Sequence, residues 1–324
     1  MIEQTVRRKK VTPSAIQRRK WKGVPITVVS AYDYPVAKWA DEAGIDIIFV
    51  SDALAMVGLG RDNVFSVSVD EMVYHTKAVC SGSGKSLVLT AMPLLSYRDP
   101  EQALLNAGRL IQEGGAHAVE IEGGKENVPV IEALTAQGIP VLAHIGLSKK
   151  DALAKGEYRI KGRAPGDAMH VIEEARAVER AGAFAVAMEC VTDRIAETVT
   201  KIVSVPTIGI GSGKYCDGQA LVTQDMLGMF DKFCPRFVRR YAEISALAVD
   251  SLTEFRRDVE GGAFPQTEHS TQMNEDTLRR LLETKGVDEE LLEESTPKGR
   301  RGKRREKALS GYVDALVKQL DQAG

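Results

Sequence analysis

The stretch QEGGAHAVEIEGG, residues 112–124, reads as a helix end, a glycine reversal, an apolar strand and a second glycine pair. Glycine just past a helix supplies the left-handed backbone that other residues avoid. The following run, AHAVEIE, suits a buried strand. The same order recurs at DEAGID (41–46), AQGIPV (136–141) and RAGAFA (180–185). Strands are therefore expected at 26–32, 45–52, 86–92, 116–122, 140–145, 183–190 and 205–210. Helices are expected between them, at 35–43, 70–80, 100–114, 127–137, 167–181 and 192–203. Regular strand–helix alternation predicts a parallel sheet, and near-continuous apolar strands predict burial on both faces. An α/β fold of the (βα)8 TIM barrel type accounts for this best, with the eighth strand expected within 226–238. A doubly wound open sheet is the competing arrangement, but no G-x-G-x-x-G follows the first strand.

The strand at 116–122 carries Glu120 and Glu122. Side chains two apart share a strand face and lie about 7 Å apart. Two carboxylates on one buried face require a cation or a proton, because an unpaired buried charge is strongly unfavourable. In a (βα)8 barrel, chemistry gathers at the carboxyl ends of the strands. Asp33, Asp52, Glu122 and Glu189 fall there, joined by His144. Carboxylates of this kind suit a hard divalent ion such as Mg2+, which leaves other positions to water and substrate oxygens. A lone acid serves as often to hold loop amides, and a lone histidine is more often a hydrogen-bonded core residue than a ligand. The segment GIGSG (209–213) could cradle phosphate through its amides, a weak signal in a βα loop.

Composition places the chain of 324 residues among ordinary globular proteins, with 44% hydrophobic and 27% charged residues and a formal net charge of −2. That balance gives no overall electrostatic footprint for nucleic acid. No apolar run of about 18 residues is present to span a membrane, and the polar start MIEQTVRRKK lacks a signal-peptide core. Cys80, Cys190, Cys216 and Cys234 have no C-x-x-C spacing, which favours reduced thiols and a cytoplasmic location. The stretch 7–22 reads as a surface helix with Trp21 tucked in. Residues 1–270 are read as the barrel with its N-terminal helix, and 271–324 as a charged helical extension. Within that extension the basic run TPKGRRGKRREK (296–307) is expected to be solvated, with phosphate or nucleic-acid binding by 298–307 the alternative.

Several segments together carry a family resemblance. SAYDYPVAKWADEAGIDIIFVSDALAM (30–56), VDEMVYHTKAV (69–79), IEGG (121–124), AHIGL (143–147), MECV (188–191), VPTIGIGSGKYCDGQALVTQDMLGMF (205–230) and GAFPQTEHS (262–270) resemble ketopantoate hydroxymethyltransferase. The resemblance runs over roughly residues 20–270. It implies a barrel of the phosphoenolpyruvate mutase and isocitrate lyase type, usually a decamer. It also implies Mg2+-assisted enolisation of a small 2-oxo acid, 3-methyl-2-oxobutanoate, and hydroxymethyl transfer from methylenetetrahydrofolate, a step of pantothenate synthesis. By that resemblance Asp52 falls on a metal ligand, Glu122 on the acid grouped with the metal, Glu189 on the proton acceptor, and His144 in the substrate site.

Three positions depart from the family pattern. The serine after the metal aspartate is Ala53, a second metal aspartate is Ala91, and the lysine that holds substrate oxygens is Glu120. The site has lost a cation and kept its capacity for metal, and Glu120 is expected to join Asp52 and Glu122 around the metal. These departures open two alternatives to the family reaction. One is a paralogue performing another aldol-type or C–C bond reaction on a different substrate. The other is a non-catalytic regulatory paralogue.

Overall fold

Alternation along the strands sorts the apolar side chains into two cores. Ala118 joins Ile26, Leu87, Leu89, Leu142 and Ile208 inside the sheet. Val119 and Ile121 join Val36, Met72, Leu110, Ile131, Val178 and Val199 between sheet and helices. Glu120 and Glu122, in step with Ala118, therefore face inward. The computed structural model describes residues 8–147, 153 and 159–285. The chain divides into two compact units, Met1–Ser245 and Ala246–Gly324.

The first unit is a closed barrel of eight parallel strands in sequence order, β1 (Ile26–Ser30), β2 (Ile47–Val50), β3 (Leu87–Ala91), β4 (Ala118–Glu122), β5 (Val141–Gly146), β6 (Ala185–Glu189), β7 (Thr207–Ile210) and β8 (Gly218–Leu221). Closure of β8 onto β1, with Ile26 opposite Gly218, excludes the open doubly wound sheet. The eighth strand corrects the sequence reading, which expected it within 226–238. GQAL carries no β-branched or aromatic signal, and a Cβ at Gly218 would meet the Ile26 carbonyl oxygen at 2.6 Å, so the close approach of β1 demands glycine there. The aromatic run after it forms a wall of the cavity described below rather than a strand.

The helices are α1 (Pro13–Lys22), α2 (Tyr34–Glu42), α3 (Leu54–Val57), α4 (Val69–Gly82), α5 (Pro100–Gln112), α6 (Val128–Ala136), α7 (Pro165–Arg180), α8 (Asp193–Ile202) and α9 (Thr223–Met226). Their starts obey capping chemistry. Asp33, Ser68 and Asp99 accept backbone N–H bonds from Val36, Glu71 and Gln102, and Ser68 with Glu71 completes a capping box.

One mouth of the barrel is closed by α1. Ile16 is fully buried in the inner core. Arg19 pairs with Asp46 at 2.6 Å and Lys20 with Asp217 at 2.9 Å. The same two acids accept bonds from the backbone and hydroxyl of Thr27 and Thr207, just before β2 and β8. The N-terminal ends of the strands are thus sealed, and the carboxyl ends remain for a site. Trp21, expected to be tucked in, is 72% exposed. Five residues from Ile16 it sits about 140° around the helix, on the far face.

In the second unit, α10 (Ile244–Gly261, beginning at the end of the first unit) exposes Leu247, Leu252, Phe255 and Val259, and α11 (Glu275–Lys285) falls inside the stretch expected to be helical. The basic run and the final helix expected in the extension lie outside the described residues.

Candidate active site

A cavity of about 430 Å3 opens at the carboxyl ends of the strands. Its wall includes Asp52 and Ala53 after β2, Glu120 of β4, His144 of β5, Glu189 of β6 and Asp225 of α9. Val28, Phe49, Met56 and Ala220 add apolar surface, and Phe230, Phe233 and Phe237 close one side.

The partner of Glu120 is His144. Register places His144 beside Glu122 across β4 and β5, and the ring reaches to Glu120, with Nδ1 2.7 Å from Oε1. On its other side, Nε2 lies 3.1 Å from Glu189 Oε2, within ion-pair range but without the alignment of a hydrogen bond. Glu120 is 1% and His144 5% exposed, whereas the Glu189 side chain is 25% exposed. Burial by itself pushes the His144 pKa down. The bond to Glu120 and the Glu189 carboxylate outweigh it and raise the pKa to about 10. The imidazole is thus held in its charged form between the two carboxylates. Glu120 Oε2 is buried and has no hydrogen-bond partner among the described residues.

A histidine whose folded pKa lies above its ordinary 6.5 stabilises the fold fully below that ordinary value. The contribution is lost as pH rises through about 10. Urea unfolding at pH 6 and pH 10 should therefore show a loss of about 1.5–3 kcal/mol, the range for a charge-assisted bond, in wild type. His144→Gln should show little of this difference, and equal pH dependence in both proteins would mean the imidazole is neutral.

Across the cavity a second polar group surrounds Asp52, which is 6% exposed. Tyr32 and Ser51 share a hydrogen bond at 2.8 Å. Burial pushes the Tyr32 hydroxyl well above its ordinary pKa, and the Asp52 and Asp225 charges add to this while bonds to Ser51 and Ser30 oppose it. Asp225 is itself raised by burial, with Arg240 opposing. Thr223 and Gln224 tie α9 to β1 through the Ser30 backbone and hydroxyl.

The strand-end acids do not all converge. Asp33 is exposed and caps α2, a role announced by the proline at 35 in the first turn. Glu122 is buried, and its carbonyl accepts from Asn127 Nδ2 at 2.7 Å, but it is not on the cavity wall. Ala91 is fully buried beside Glu120 in register. The GIGSG segment does not form an open cradle. A Cβ on Gly211 would meet the Phe237 ring at 2.5 Å, and the Ser212 hydroxyl is bonded to the Met188 carbonyl. Asp225 was missed, although it lies in the motif at 205–230. The Phe230, Phe233 and Phe237 wall was misread as strand.

Among the described residues, no group of three or more His, Cys, Asp or Glu is arranged to hold a metal ion. Mg2+ needs only one or two carboxylates when water and substrate oxygens complete its shell. Asp52 and the unsatisfied Glu120 Oε2 are oxygen donors of that class on the wall.

A model of ketopantoate hydroxymethyltransferase matches residues 10–267. The chain belongs to the ketopantoate hydroxymethyltransferase family. It is 45% identical over 273 residues to 3-methyl-2-oxobutanoate hydroxymethyltransferase of Clostridium botulinum, covering 84% of this chain and 99% of the relative. The Enterococcus faecalis enzyme of the same name is 44% identical over the same shares to within rounding of the alignment, 84% and 99%. Solved structures with the same fold include phosphonopyruvate hydrolase in complex with oxalate and Mg2+, at TM-score 0.54, 15% identity and 85% and 99% coverage. Phosphoenolpyruvate phosphomutase from Streptomyces platensis follows at TM-score 0.52, 15% identity and 87% and 98% coverage. Ala53 just after β2, Ala91 of β3 and Glu120 of β4 stand on neighbouring strands, while β5 and β6 carry His144 and Glu189.

Proposed function

We propose that this protein is a hydroxymethyltransferase that works by enolisation. Glu189 removes a proton from the carbon beside a carbonyl, that carbon bonds to the methylene carbon of methylenetetrahydrofolate, and water supplies the hydroxyl as tetrahydrofolate leaves. The observation that carries this reading is the placement of Glu189 at the end of β6, partly exposed on the cavity wall and backed by His144. Mg2+, when bound, supplies positive charge for the enolate oxygen. In this chain Asp52 would hold it. Of its expected companions, Glu122 is off the wall and Glu120 has one oxygen bonded to His144.

Titration of the full chain with Mg2+ should give at least tenfold weaker binding for Asp52→Asn than for wild type, and equal affinity would remove Asp52 from the metal site. Folate-dependent appearance of a hydroxymethylated product tests the overall reaction. The family match ends at 267, which supports 1–270 as the catalytic part and 271–324 as an appendage. Exposed Trp39, Tyr74 and Leu105 on α2, α4 and α5 support a homo-oligomer, and four free thiols support a reducing, cytoplasmic setting. A changed substrate within the same chemistry is favoured by one observation, the buried Glu120 Oε2 left without a hydrogen-bond partner among the described residues.

A further inference from the structure

The Glu120 carboxylate is acceptor-only when ionised, and half of its capacity is committed to His144. The other oxygen, Oε2, is buried on the cavity wall with no hydrogen-bond partner among the described residues. Buried polar atoms are satisfied in the working state, so a group entering the cavity is the natural source of the missing donor. The wall also argues against an anionic ligand. Among the described residues it contains the carboxylates of Asp52, Asp62, Glu120, Glu189 and Asp225 and neither Lys nor Arg, and its imidazolium, His144, is already held between Glu120 and Glu189. Ala53 offers no hydroxyl. The family relatives are named for 3-methyl-2-oxobutanoate, whose carboxylate needs donors. At this wall the ionised Glu120 offers acceptors only, and a ligand carboxylate brings it no donor.

We infer that the substrate of this site carries an uncharged hydrogen-bond donor, such as a primary amide N–H, toward Glu120 Oε2 in place of a carboxylate. Its carbonyl and branched alkyl part still sit between Glu189 and the apolar wall formed by Phe49 and Met56. The identity of the reacting carbonyl rests on the hydroxymethyltransferase reading, whereas the donor requirement rests on Glu120 alone.

Three ligands of nearly one shape separate the contributions of charge and donor. These are 3-methyl-2-oxobutanoate, its primary amide and its methyl ester, each titrated into the full-length protein by calorimetry or ligand-observed NMR. Wild type should bind the amide at least tenfold more tightly than either the acid or the ester. Glu120→Lys should reverse the order of acid and amide. The inference is overturned if wild type binds the acid as tightly as the amide, or if the ester equals the amide, since a donor is then irrelevant. It is also overturned if Glu120→Gln weakens binding of Mg2+ alone tenfold, which would make Oε2 a metal ligand. Deuterium uptake at C3 in D2O is read in the same samples. An amide that binds preferentially without exchanging would uphold the donor requirement and remove the enolisation reading. An acid that both binds preferentially and exchanges would do the reverse.

Discussion

Glu189→Gln should lower deuterium exchange beside the substrate carbonyl by about 10²–10⁴-fold, the usual contribution of a positioned general base, while leaving the fold intact. The amide is close in size and keeps a polar head in the same place, but it cannot accept a proton from carbon. Backbone bonds around the position are made by main-chain atoms that the substitution does not touch. Leu147 N–H donates to the Glu189 carbonyl at 2.8 Å, and Cys190 N–H donates to the Ile210 carbonyl at 2.9 Å. A purely structural role for Glu189, as a cap for α8, makes the opposite forecast of lost stability with exchange retained. The geometry disfavours it, because Thr192 stands at the cap position of α8 and Glu189 faces His144 instead. Exchange measured by NMR alongside thermal melts decides the matter. A variant that exchanges at the wild-type rate would exclude Glu189 as the base.

The strands that were legible in the sequence share one property, a run of Val, Ile or Ala bounded by glycine, as in β4 and β6. Such runs report burial on both faces, which is a local fact. β8 escaped because its identity depends on a close approach by Ile26, nearly two hundred residues away in the chain, and close approach selects glycine rather than a β-forming side chain. The same distinction governs the site. That acids gather at strand ends could be read directly, since strand ends are visible. Which acids meet could not, because it depends on register between strands and on the turn each loop takes. Glu120 and His144 are 24 residues apart, and only the β4–β5 pairing brings the ring within reach. Asp33 shows the converse. An aspartate after a strand can turn toward the barrel mouth or cap the next helix, and Pro35 favours the cap. The sequence also showed that Glu120 needs a cation or a proton without revealing that a neighbouring histidine supplies it.

Installing the residues that the family resemblance implies, Ala53→Ser, Ala91→Asp and Glu120→Lys together, should raise turnover of 3-methyl-2-oxobutanoate by well over tenfold. A charge-assisted bond to the substrate contributes about 1.5–3 kcal/mol, and removal of the opposing carboxylate adds to it. The single changes should not share the gain. Ala91 is fully buried and stands opposite Glu120 in the β3–β4 register, so Ala91→Asp alone sets two carboxylates side by side in the core. An uncompensated buried charge costs about 3–5 kcal/mol, and that variant should be the least stable of the series. Glu120→Lys alone leaves an ammonium next to His144, deprives the imidazole of the bond that keeps it charged, and offers the lysine no anion from β3. Only the pair places opposite charges across the two strands, and Ala53→Ser then supplies the hydroxyl after Asp52. Urea unfolding and steady-state turnover on all single, double and triple variants form a complete thermodynamic cycle. The expected signature is a favourable coupling between positions 91 and 120 in both stability and turnover. Additive effects at those positions, or a wild type that already turns over the acid at the rate of the triple variant, would mean that Glu120 and Ala91 are independent bystanders rather than two parts of one change in specificity.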